Sequence, residues 1–134
     1  MKIIYQTETG ISIIHPTGDV PIEALLIKDV PSEYRPTAKI VDDDLIPTDR
    51  TFRDAWEFNG NYISENLNKS KEIHKDRLRA QRKSMFEELD AQFMQALEKG
   101  KDTKAIATEK QRLRDITKHV DACEDTFEIR KITL

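Results

Sequence analysis

From Ser64 to Lys99 the chain contains neither proline nor glycine, and Gly100 closes the stretch. Apolar residues recur along it at Leu78, Met85, Phe86, Leu89, Phe93, Ala96 and Leu97. Their spacing is that of one face of an α-helix. A helix of this length extends about 50 Å at 1.5 Å per residue, more than a small domain is wide. Such a rod has to lie against the rest of its chain, against another copy, or against a partner. The expectation that follows is an interaction or assembly protein, not an enzyme.

The flanking residues say how the rod begins and ends. Ser64 or Asn66 suits the N-cap. Gly100 suits the residue just past the C-terminus, with Lys99 and Lys101 beside the negative helix end. Asp102 or Thr103 then caps a second helix from Lys104 to His119, with Ile106, Leu113, Ile116 and Val120 as its apolar seam. So short a connection predicts an antiparallel helical hairpin. The second helix is the shorter one. It is expected to cover only the C-terminal half of the first, leaving residues 66–83 without a local cover. Residues 125–134 are read as a short helix capped by Asp125 or Thr126.

The first half of the chain has a different texture. Two isoleucine-rich runs, at residues 2–5 and 11–15, flank a polar turn that contains Gly10, which predicts a β-hairpin. Pro21 suits a first helical position with Asp19 as N-cap, and Ile22, Leu25 and Leu26 share a face. A strand is expected at Lys39–Val41. Asn59-Gly60 between Trp56-Glu57-Phe58 and Asn61-Tyr62-Ile63 reads as a type I′ hairpin. Phe52, Trp56, Phe58, Tyr62 and Ile63 are expected to cluster and to seat that hairpin against the start of the long helix. The fold class is therefore α+β: a small β-rich head over residues 1–63, then a long helix and antiparallel helical hairpin over residues 64–134.

Charge narrows the function. Charged residues make up 35% of the chain against 37% apolar, a balance that fits exposed amphipathic helices better than a deep core. The net charge of −3 is no nucleic-acid signature. Residues 66–83 carry Lys69, Lys71, Lys75, Arg77, Arg79, Arg82 and Lys83 against Glu72 and Asp76, but the cations ring the helix and no aromatic is interleaved for base stacking. Nucleic-acid binding therefore stays only as an alternative. Residues 84–98 are acidic through Glu87, Glu88, Asp90 and Glu98. A helix basic first and acidic second permits antiparallel self-association.

Chemistry-bearing constellations are missing. Asp42, Asp43, Asp44 and Asp49 do not follow the spacing of a calcium loop. His15, His74 and His119 are scattered, and Cys123 lacks the second ligand pair that zinc needs. No nucleophile elbow, P-loop or dinucleotide fingerprint occurs. No catalytic residue, cofactor or metal is expected. A lone cysteine forms no internal disulfide, no apolar run reaches the ~20 residues of a membrane span, and the first residues lack a signal peptide's pattern. A soluble, intracellular protein is expected, with no membrane partner. Arg50-Thr51-Phe52-Arg53-Asp54-Ala55-Trp56 reads either as a lock for the hairpin or as a docking surface, since Arg and Trp are frequent in interface hot spots.

Two stretches carry a resemblance. Thr51-Phe52-Arg53-Asp54-Ala55-Trp56, the Asn-Gly hairpin and Lys71-Glu72-Ile73-His74-Lys75-Asp76-Arg77-Leu78-Arg79 resemble small proteins encoded among tailed-bacteriophage tail genes. Arg79, Arg82, Phe86 and Asp90, followed by Lys110-Gln111-Arg112-Leu113-Arg114-Asp115-Ile116-Thr117, are similar to the helical pattern of phage tail assembly chaperone-like proteins. The resemblance spans residues 50–117; the first fifty residues lie outside it. It implies no catalytic residues. It implies a tail, baseplate or fibre protein as partner, in the host cytoplasm during assembly or in the virion tail. A virion component and a transient chaperone both fit. The residues expected at the protein interface are Phe52, Arg53, Trp56, Lys75, Arg79, Arg82, Met85, Phe86 and Phe93, and a homo-oligomer is the expected assembly.

Overall fold

The computed structural model describes residues 1–134 and has the α+β architecture expected. It divides into two compact units, Met1–Lys69 and Ser70–Leu134.

The first unit is organised by β1 (Lys2–Gln6), the middle strand of a three-stranded antiparallel sheet in the order β2-β1-β3. β2 is Ile11–Ile14 and β3 is Lys39–Val41. Ile3 pairs with Ile14 on one side and Ile40 on the other. Successive side chains of a strand face opposite ways. Ile3 and Tyr5 therefore pack with Leu25 of α1 (Ile22–Lys28) and with Val30, while Ile4 faces the other layer with Ile11, Trp56 and Phe58. Burial on both faces is why β1 reads as an uninterrupted apolar run rather than an alternating one.

That second layer is the hairpin of β4 (Trp56–Phe58) and β5 (Ile63–Glu65). Trp56 and Phe52 are completely buried. The expected aromatic cluster differs in composition: Tyr62 is exposed, and Trp56 and Phe58 pack on Ile4 and Ile11 instead of forming a private cluster. The hairpin is thus seated on the sheet. The Gln6 side chain joins the layers, accepting from the Phe58 N–H at 2.9 Å and donating to the Gly10 carbonyl at 2.9 Å.

Two local expectations are corrected, and a choice between two caps is decided. The Asn59-Gly60 turn is not type I′, because Asn59 keeps a negative φ and only Gly60 is left-handed, at φ 96°. The Asn59 carboxamide accepts from the Asn61 and Tyr62 N–H groups at 2.8 and 2.9 Å. This is an Asx turn, and it closes a four-residue loop. Helix α1 starts at Ile22 with Pro21 itself as N-cap, since the Pro21 ψ of 140° is extended, so Asp19 caps nothing there. Of the two candidates for the long helix, Asn66 is the cap: its side chain accepts from the Lys69 N–H at 2.9 Å, while Ser64 lies within β5.

Helix α2 (Leu67–Glu98) forms the first leg of the second unit, followed by α3 (Lys104–Asp121) and α4 (Thr126–Lys131). Gly100 ends α2 in the left-handed region, at φ 66°. Its N–H reaches the Leu97 carbonyl at 3.1 Å, and the Lys101 N–H reaches the Ala96 carbonyl at 2.8 Å. Those two bonds are a Schellman motif. The partners then run in opposite directions. Asp90 meets Lys110, Arg82 meets the Leu113 carbonyl, and Lys75 meets Asp121. α2 and α3 are therefore antiparallel. Asp125 caps α4 by accepting from the Glu128 N–H at 2.8 Å.

This register overturns the expectation that residues 66–83 lack a local cover. Leu78 is 2% exposed, Ser70 and Ile129 are fully buried, and the Ile132 carbonyl lies 2.7 Å from His74 Nε2. The end of α3 and the α4 segment reach further back along α2 than the helix lengths alone indicate. Cys123 is buried there too, its thiol donating to the His119 carbonyl, with burial pushing its pKa up.

Two substitutions test these constraints. Trp56→Ala is expected to destabilise by ~3–5 kcal/mol, as for other large buried aromatics, read by denaturant unfolding. Gly100→Ala should cost about 1 kcal/mol, because its open surroundings leave only the left-handed backbone to oppose a Cβ.

Candidate protein-interaction surfaces

The residues expected at an interface fall into three physical situations. Phe52 and Trp56 are core residues of the first unit and present no surface. Two cations lie over the Trp56 ring. The Arg53 guanidinium lies 4.9 Å from the Trp56 ring centroid and that of Arg50 lies 5.8 Å away. A cation over an indole face is attracted by the ring quadrupole. Arg53, half-buried, donates to the Ile11 carbonyl at 3.2 Å. Burial holds its pKa below the usual guanidinium value, the nearby Arg50 charge adds to this, and Asp54 opposes it. The turn at residues 53–55 is what places these groups together, since its one 3-10 turn drops Ala55 into the core and leaves Arg53 and Asp54 outside.

Lys75, Arg79 and Arg82 are occupied within the second unit. Lys75 is only 8% exposed. Its ammonium reaches Glu72 at 2.7 Å and Asp121 at 2.8 Å. A buried methylene stem with its charged end at the surface is the arrangement of a snorkelling lysine. Lys71 adds a bond to the Asp121 carbonyl at 3.0 Å. Arg79 pairs with Asp76 at 2.8 Å. Arg82 donates to the Leu113 carbonyl at 2.7 Å. Much of the basic stretch is thereby turned onto the chain's own oxygens.

The exposed apolar side chains of α2 lie in the half expected to be covered, where Met85, Phe86 and Phe93 of the expected interface also fall. Met85, Phe86, Leu89 and Phe93 are half-buried, and Met94 and Leu97 are 57% and 53% exposed. Arg82 and Arg114 stand 5.5 and 5.9 Å from the Phe86 ring, and Lys110 stands 5.5 Å from that of Phe93. Near the loop the hairpin is only two helices thick, so each helix can bury one side of its apolar arc and no more. Met94 and Leu97 fall outside the buried side. Leu97 belongs to the seam read from the sequence. Met94 lies off that period, and nothing in its spacing singles it out.

No group of three or more His, Cys, Asp or Glu side chains stands together in a way that could hold a metal ion. No helix is long and apolar enough to cross a membrane. Comparison with protein-family models, with curated proteins and with solved structures gives no match.

The Lys75 triad has a pH signature. Hydrogen bonding to Lys75 holds the Asp121 carboxyl below its ordinary value, and hydrogen bonding to Asp121 and then Glu72 holds the Lys75 ammonium above its own. A depressed carboxyl contributes stability above its unfolded pKa and loses it as pH falls through the folded one. Wild type is therefore expected to lose more stability than Asp121→Asn as pH drops from neutral to below about 3.9, the ordinary Asp value, measured by urea unfolding at each pH.

Proposed function

We propose that this protein is a non-enzymatic structural or adaptor component of a bacteriophage tail that works by protein–protein interaction. The observation that carries the reading is the apolar arc from Met85 to Leu97, where Met94 and Leu97 are exposed and Met85, Phe86, Leu89 and Phe93 are only half-buried. The resemblance over residues 50–117 supplies the setting: a tail, baseplate or fibre protein as neighbour. Large exposed apolar side chains grouped on one helix mark an interaction site more often than isolated ones do.

A second copy is the first occupant of that arc. Glu87, Glu88 and Glu98 lie along the same end of α2, and Lys99, Lys101 and Lys104 follow at the loop. Two hairpins laid loop over loop in opposite directions bring unlike charges around a shared apolar centre. Self-association then uses residues 85–104, in place of the pairing of basic and acidic halves that the charge order of α2 permits. Hetero-oligomeric docking on a tail protein uses the same arc.

Analytical ultracentrifugation of the purified chain tests the first step. Wild type is expected to form a dimer or higher oligomer, and Leu97→Glu to be monomeric with unchanged helicity by circular dichroism. Monomeric wild type at high micromolar concentration counts against self-association. Mass spectrometry of gradient-purified virions tests the second: a virion component stays with the particles, whereas a transient chaperone co-purifies with one tail protein from infected cells and is missing from them. Affinity for DNA that collapses with added salt would favour the nucleic-acid alternative instead.

A further inference from the structure

The first unit carries a second feature, independent of the helical hairpin and of the tail assignment. Two guanidinium groups, Arg50 and Arg53, stand over the buried Trp56 ring. Like charges so close repel. Here neither guanidinium sits in an ion pair; the polar partner of Arg53 is the Ile11 carbonyl. The arginines line a cleft of about 390 Å³ together with Thr7, Thr9, Ser12 and Asp54. The cleft is polar and open to solvent. Its charged groups are two cations and one anion, a net of one positive charge.

We propose that this cleft binds a carboxylate presented by an acidic peptide segment. A guanidinium donates two parallel N–H bonds to a carboxylate, and the geometry is stronger than a point-charge contact. The Trp56 face holds the guanidinium planes in place before the ligand arrives, so less side-chain freedom is lost on binding. A single negative charge matches the net charge of the cleft. A phosphate dianion does not, because Asp54 stands at the same rim and repels the second charge. The volume exceeds that of one carboxylate, and the Ser12 hydroxyl and the threonines of the β1–β2 turn offer hydrogen bonds to the peptide groups on either side.

The test is an NMR titration of the full chain with an N-acetylated, C-amidated triglutamate peptide, observing the arginine Nε–Hε resonances. A triglutamine peptide and inorganic phosphate serve as comparisons. Saturable shifts at Arg50 and Arg53 with triglutamate, absent with triglutamine, are expected. Arg50→Ala, at an exposed position, should weaken binding by roughly tenfold, the scale of one charge-assisted hydrogen bond. Asp54→Asn should tighten it by roughly two- to fivefold, the scale of an exposed charge pair. Arg50→Ala removes one of the two cations over Trp56 and Asp54→Asn removes neither, and their amide spectra report whether the unit stays folded. Equal response to triglutamine, tighter binding of phosphate than of triglutamate, no saturable shift, or weaker binding by Asp54→Asn would each overturn the assignment.

Discussion

The second unit depends on the register between its two long helices, and three cations hold that register. Lys110 reaches Asp90, Arg82 reaches the Leu113 carbonyl, and Lys75 reaches Asp121. Apolar contacts alone tolerate sliding, since a seam of Leu and Ile repeats itself every turn. Charged groups at fixed intervals do not. The Schellman turn at Gly100 sets where the chain reverses, and the cations set how the two legs align. Only this alignment carries Val120, Cys123 and Ile129 back to the beginning of the unit, where Leu78 and Ser70 are sealed.

A trade-off follows along the length of α2. Where the α4 segment is added, the helix is sheltered and its basic side chains are engaged internally. Where α3 is the only neighbour, near the loop, Phe86 and Phe93 are shielded by cations above their rings and Met94 and Leu97 are left out. Local stability is expected to follow the same gradient, because fewer buried contacts hold the loop end. The end that leaves apolar side chains exposed is therefore also the end most able to change its conformation.

Much of this is legible in the sequence, for identifiable reasons. The gap in Pro and Gly from Ser64 onward, Asn66 near its start and Gly100 after it mark α2 closely, since caps and breakers act on the local backbone. The isoleucine runs and Lys39–Val41 mark the sheet. Position along the helix is harder to read. Counting helix lengths assigns α3 to the C-terminal half of α2 and leaves residues 66–83 bare, because the few residues of α4 are too short to weigh. Trp56 shows the same limit in the first unit. Its neighbours Arg50, Arg53 and Asp54 read equally as lock or as docking surface, and the structure divides them: the ring is core, and the charged groups are outside it. Asn59-Gly60 shows a third kind of miss, in which a side-chain amide takes over hydrogen bonds that the dipeptide rule assigns to the backbone.

The sealed thiol of Cys123 has a consequence for how this chain meets its surroundings. A thiol whose ionisation is suppressed and whose hydrogen is engaged is a poor nucleophile, because only the thiolate reacts readily. The segment between α3 and α4 therefore holds its thiol in a less reactive state. Were the segment after α3 to lift from α2, the thiol would lose that burial and its pKa would fall back toward the ordinary cysteine value.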